Sequence, residues 1–83
     1  MSAIDFSRLR SLAARRLVAA LERDGFVLCR QSGSHRHYGH ADGRRVTLTF
    51  HHASDTFRFK TLRSMIEVQA QWRGEDLVRL QLV

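Results

Sequence analysis

The sequence predicts an α+β domain of order α-β-β-β-α: a three-stranded antiparallel sheet with helices packed on one face and room for an extra C-terminal helix. Three observations carry this. Residues 11 to 24 hold apolar side chains at helical spacing, residues 26 to 50 contain three short extended runs separated by turn signals, and a second helical stripe starts near Thr61.

The first helix is expected from Ser11 to Asp24. Ala14, Leu17, Val18 and Leu21 fall at i, i+3, i+4, i+7, with Arg15, Arg16, Glu22 and Arg23 opposite. Gly25 follows as a stop, because glycine takes a left-handed conformation at little cost. Ahead of it, residues 1 to 7 form either a flexible lead or an extra turn anchored by Ile4 and Phe6.

Three strands follow. The first is Phe26 to Arg30, and Gln31-Ser32-Gly33 is a turn. The second is Ser34 to His40, and Ala41-Asp42-Gly43 carries the Asp-Gly signal of a tight hairpin. The third is Arg44 to Phe50, where Val46, Leu48 and Phe50 alternate with Arg45, Thr47 and Thr49. The same alternation sets Arg36 and Tyr38 on one face of the second strand and His35 and His37 on the other. Tyr38 is the core candidate, so the two histidines belong to the open face and Arg36 must snorkel toward an edge. Residues 51 to 60 read as a loop. A helix then starts at Thr61, a good N-cap, with Leu62, Met65, Ile66 and Val68 or Gln69 as its stripe. Residues 74 to 83 suggest one more short helix, apolar at Leu77, Leu80 and Val78. Trp72, near a helix end, is expected to pack within its own domain.

Size and composition bound the function. With 83 residues the chain is one expected domain, 1–83, with a small core. No apolar run approaches the ~18 residues needed to span a bilayer, and the N-terminus has no basic start or apolar signal core. A cytoplasmic protein is expected. The single cysteine, Cys29, cannot form an internal disulfide and reads as a small buried hydrophobe rather than a nucleophile. The net charge is +6, from 14 basic and 8 acidic residues, and every basic residue but Lys60 is arginine. The planar guanidinium matches phosphate geometry, so this balance favours a polyanion or an acidic partner.

All five histidines lie between residues 35 and 52. Imidazole titrates near neutral pH, so it can take and return a proton in one cycle. That suits RNA cleavage: a base takes the 2′-hydroxyl proton, the oxygen attacks the adjacent phosphorus, and an acid protonates the leaving 5′-oxygen. DNA lacks this internal nucleophile. His35-x-His37-x-x-His40 has the look of a zinc spacing, but residues 35 and 40 fall on opposite strand faces and no cysteine or carboxylate completes it. No metal or cofactor is expected. From the residues alone His35 and His37 are equivalent. Gly33 and Ser34 place His35 beside a turn where a phosphate can approach the backbone.

Several stretches together resemble the HicA toxins of bacterial toxin–antitoxin systems. They are Leu21-Glu22-Arg23-Asp24-Gly25-Phe26-Val27-Leu28, Arg30-Gln31-Ser32-Gly33-Ser34-His35-Arg36-His37-Tyr38, His40-Ala41-Asp42-Gly43-Arg44-Arg45-Val46-Thr47, Phe50-His51 and Thr61-Leu62-Arg63-Ser64-Met65-Ile66. The order and spacing of Gly-Phe, Gly-Ser-His, Asp-Gly-Arg, Phe-His and Thr-Leu-Arg are more specific than any one piece. The chain departs from the family at Arg58-Phe59-Lys60, at the loop His51-His52-Ala53-Ser54-Asp55 and at Gln71-Trp72-Arg73-Gly74.

The resemblance implies a fold like the double-stranded-RNA-binding domain and a metal-independent endoribonuclease acting on mRNA. It also implies a catalytic histidine at His35 and a HicB-type antitoxin that covers the histidine face in a hetero-oligomer. His37 by its face and His51 by its family position are the candidates for a proton-transfer partner. Ser34, Arg30, Arg36, Arg44, Arg45 and Lys60 are the candidate RNA contacts. The alternative is a non-catalytic RNA-binding module of the same fold.

Overall fold

A computed structural model describes residues 4–83. The expected lead over residues 1 to 7 lies partly outside the described residues. Within them, the chain forms a single 3-10 turn, Phe6–Leu9, whose Ser7 N–H donates to the Asp5 carboxylate at 3.1 Å. Ile4 and Phe6 pack against the core, so the extra turn forms.

The first helix, α1, spans Ala14–Arg23 and buries Ala14, Leu17, Ala20 and Leu21. It starts three residues later than the spacing suggests. A carbonyl pair from the loop before the second helix fixes the start: Ala14 N–H donates to Asp55 O at 2.7 Å and Arg15 N–H to Ala53 O at 3.0 Å. These would otherwise be orphan donors of a first turn. The helix ends at Gly25, whose φ of +102° suits only glycine, and where an added Cβ would come within 3.0 Å of the His40 ring.

The sheet is antiparallel in the order β1-β2-β3, with β1 at Val27–Ser32, β2 at His35–Gly39 and β3 at Arg45–Thr49. The first strand runs two residues further than expected, so the β1–β2 turn tightens to Gly33-Ser34. The Asp-Gly hairpin closes as predicted: His40 N–H donates to Arg44 O at 3.0 Å, and Gly43 takes a φ of +98°. Tyr38, Val46, Leu48 and Phe50 are buried against the helices.

The second helix, α2, spans Phe59–Arg63 and runs on through a π-helical stretch, Ser64–Gln69. It starts before the predicted Thr61 cap, because Leu62 N–H already donates to Arg58 O at 2.8 Å. The wider turn carries Ala70 N–H to Met65 O at 2.8 Å and shifts the phase of the stripe. Leu62, Met65, Ile66 and Ala70 are buried, whereas Val68 is 68% exposed. Gln69 turns back to the sheet, where its Oε1 accepts Thr47 N–H at 2.8 Å and occupies an outward donor of edge strand β3. The extra C-terminal helix, α3, is Gly74–Arg79; Leu77 and Leu80 are buried and Val78 is exposed. Arg23 and Arg16 of α1 donate to Leu80 O (3.0 Å) and Gln81 O (2.9 Å), capping the end of α3 from another part of the chain.

Asp24 ties these pieces together. Its carboxylate accepts the Trp72 indole N–H at 2.9 Å, pairs with Arg79 at 2.9 Å and with Arg44 at 3.1 Å. Burial opposes its charge, but the Trp72 and Arg79 hydrogen bonds and the charges of Arg44 and Arg79 outweigh that and hold the carboxyl below the usual carboxylate range. Trp72 is buried, as expected of it.

Candidate functional site

The helices cover one face of the sheet, and strand pairing defines the other. Directly opposed residues share a face. His35 stands opposite Thr49 and Ser32; His37 stands opposite Thr47 and Arg30; Gly39 stands opposite Arg45. Thr47, Thr49, Arg30, Arg45 and His35 are exposed and His37 half-buried. Alternation in β2 therefore predicted this face correctly, with Tyr38 buried on the other side.

Arg30 reaches this face through a β-bulge. The ladder steps from Leu28↔Tyr38 to Arg30↔His37, leaving Cys29 as the extra residue. In an unbroken ladder Arg30 would oppose Arg36, on the covered face. The bulge sets Arg30 beside His37 instead. Cys29 also lies on the open side: its Sγ sits over Gly39, within 2.9 Å of where a Cβ would be. The expectation of a buried cysteine is thus corrected. Cys29 is exposed, as is every residue of the edge strand β1, and the bulge leaves it unpaired on the open side.

Each open-face histidine has one internal partner. His35 Nδ1 and Thr49 Oγ1 share a hydrogen bond at 3.0 Å, and His37 Nδ1 and Thr47 Oγ1 share one at 3.2 Å. These cross-strand threonines were not singled out in the sequence. The signal for them is the alternation of β3 itself, which puts Thr47 and Thr49 on the face opposite Val46 and Leu48.

The remaining candidates are dispersed. His51 lies in the turn after β3, where its N–H and that of His52 donate to the Asp55 carboxylate at 2.9 and 3.0 Å. These two backbone donors, ahead of burial, hold the Asp55 carboxyl below its ordinary range. Ser34 is in the β1–β2 turn and its carbonyl accepts Phe50 N–H at 3.3 Å. Lys60 is exposed in the first turn of α2.

Two arginines are engaged on the covered side. Arg44 pairs with Asp42 at 2.7 Å and Asp24 at 3.1 Å, and donates to Ala70 O at 2.6 Å. Arg36, half-buried on the central strand, lays its guanidinium carbon 4.4 Å from the centre of the Phe50 ring, just past the end of edge strand β3, and its Nε is buried without a hydrogen-bond partner.

His40, the third member of the zinc-like spacing, is held elsewhere. Its Nε2 is 2.8 Å from Asp24 O, its Nδ1 accepts Asp42 N–H at 3.1 Å, and its ring meets Phe26 edge-on. A carbonyl only accepts, so Nε2 carries the proton. Among the described residues no three His, Cys, Asp or Glu side chains gather as a metal-binding group. No helix among them is long and apolar enough to cross a membrane.

A three-stranded antiparallel sheet with helices on one face, in the order α-β-β-β-α, is an α+β fold like that of the double-stranded-RNA-binding domain, here with His35, His37, Arg30 and Arg45 on its outer face. The family model for the HicA toxin of bacterial toxin–antitoxin systems matches residues 14–72, and the chain belongs to that family. It is therefore the toxin component of such a system, whose counterpart is an antitoxin. A search of curated proteins returns no match.

Proposed function

We propose that this toxin is an mRNA-cleaving endoribonuclease whose proton transfers are carried by His35 and His37. The observation that carries the reading is that both histidines stand on the uncovered face of one strand, two residues apart, with Arg30 in register beside them. Two residues of extended strand span about 7 Å, a gap that a bridging phosphate fills when each imidazole bonds to it.

In this reading one imidazole takes the 2′-hydroxyl proton as that oxygen attacks the adjacent phosphorus. The other gives a proton to the departing 5′-oxygen. The products are a 2′,3′-cyclic phosphate and a free 5′-hydroxyl. Arg30 and Arg45 neutralise the phosphoryl oxygens. All proton transfers come from imidazole, so cleavage is expected to persist in EDTA. His35 is the histidine of the Gly-Ser-His segment and takes the leading role; His37 is preferred to His51 as its partner because it shares the strand face. An antitoxin of the HicB type would silence the enzyme by covering this face.

Expression in a bacterial host is the test. Growth arrest with the wild-type chain, lost with His35→Ala and restored on co-expression of the antitoxin, supports the reading. Absence of arrest from a folded wild-type product contradicts it.

A further inference from the structure

Two histidines held by two threonines suggest more than a strand ladder. We infer that Thr49 and Thr47 are positioning residues that grip His35 and His37 through Nδ1 and so present Nε2 of both rings as the reacting atoms. The inference rests on the ribonuclease reading for its catalytic consequence, but its structural content can be tested separately.

The geometry is repeated. Thr49 is directly opposite His35 and Thr47 directly opposite His37, with Oγ1 to Nδ1 separations of 3.0 and 3.2 Å. In each pair the bond uses the ring nitrogen nearer the backbone. No other described residue hydrogen-bonds either ring, so Nε2 is left to an incoming group. Threonine brings a β-branched side chain with few χ1 options, which fixes where its hydroxyl points. The strand carrying it is also held from its outer edge, where Gln69 accepts Thr47 N–H.

The chemistry of the hydroxyl matters as much as its place. A carboxylate partner would stabilise imidazolium over imidazole, and a backbone carbonyl would demand a proton on Nδ1. A hydroxyl can donate or accept. It therefore bonds to Nδ1 in either protonation state, and the ring need not turn between taking a proton at Nε2 and releasing it. In both roles Nδ1 keeps its proton and donates it to the hydroxyl, so Nε2 of the base is free to take the 2′-hydroxyl proton and Nε2 of the acid carries the one given to the 5′-oxygen.

The Thr49→Val variant keeps the β-branched shape and removes the hydroxyl; Thr49→Ser restores it. Two readouts apply to both variants and the wild type. The first is the long-range nitrogen NMR correlation spectrum of the imidazole rings, which reports tautomer and hydrogen bonding at each nitrogen. The second is single-turnover cleavage of a short RNA alongside its binding affinity. The expected result is a changed His35 nitrogen pattern in Thr49→Val and a cleavage rate lower by about three- to tenfold, the size of one exposed neutral hydrogen bond. RNA affinity should be unchanged, and both properties should return in Thr49→Ser. An unaltered His35 pattern in Thr49→Val overturns the inference. So does a rate loss that serine fails to rescue. If the wild-type chain cleaves nothing, the ribonuclease reading fails while the NMR arm still decides whether Thr49 holds the ring.

Discussion

The two faces of the sheet use the same residue types for opposite purposes. On the covered side, basic side chains are spent on the fold. Arg44 and Arg79 neutralise Asp24, Arg16 and Arg23 cap the end of α3, and His40 bridges Asp24 and Asp42. On the open side, Arg30 and Arg45 have no carboxylate partner among the described residues, and His35 and His37 have only a threonine each. A charged group that answers to another in the same chain has little left to offer a ligand. One that does not is available at every encounter.

Substitutions on the two sides should separate cleanly. The largest effect is expected from His35→Ala: a loss of about 10²–10⁴-fold in the cleavage rate, the usual share of general acid–base catalysis, with little change in urea midpoint because the side chain is exposed. A matching fall in stability would blur the contrast. Next comes Asp24→Ala, which leaves Arg44 half-buried with one carboxylate fewer and takes away the acceptor of Trp72. It should cost about 2–4 kcal/mol in denaturant unfolding while leaving the rate constant of the folded fraction intact.

The pH dependence of stability follows from the same residue. The folded carboxyl of Asp24 is held below its unfolded value, so its contribution is present above the unfolded value and is lost as pH falls through the folded one. Stability measured by urea unfolding should therefore fall below about pH 4, and Asp24→Asn should flatten that fall. Gly25→Ala combines a φ of +102° with a crowded His40 ring and should cost about 1–3 kcal/mol. The smallest effect belongs to the open face again. Arg30→Gln and Arg45→Gln should leave unfolding unchanged within about 0.5 kcal/mol, and each should lower the salt slope of RNA binding by about one.

Much of this contrast was legible in the sequence. The stripe in α1 and the alternation Val46, Leu48, Phe50 gave the covered face, and the Asp-Gly hairpin fixed the register that puts His35 and His37 outside. What escaped were features that break a period. The bulge at Cys29 adds a residue that no two-residue alternation can announce, and it decides the side on which Arg30 stands. The π-helical stretch shifts the α2 stripe, so Val68 turns outward and Gln69 reaches the sheet. Arg44 falls two residues before Val46, so the alternation already set it on the side opposite Arg45, but its partners Asp24 and Ala70 are distant in sequence and escaped. The start of α1 escaped for the same reason, since its cap comes from Ala53 and Asp55.

The central claim is that His35 on the open face performs chemistry rather than mere contact. The direct measurement is single-turnover cleavage of an mRNA by purified wild-type and His35→Ala protein, each at an RNA-saturating concentration set by its own binding curve. The expected result is a 2′,3′-cyclic phosphate product from the wild type, none from the variant, and comparable affinities for both. Equal cleavage by the two proteins, or RNA binding with no cleavage by the wild type, would contradict it.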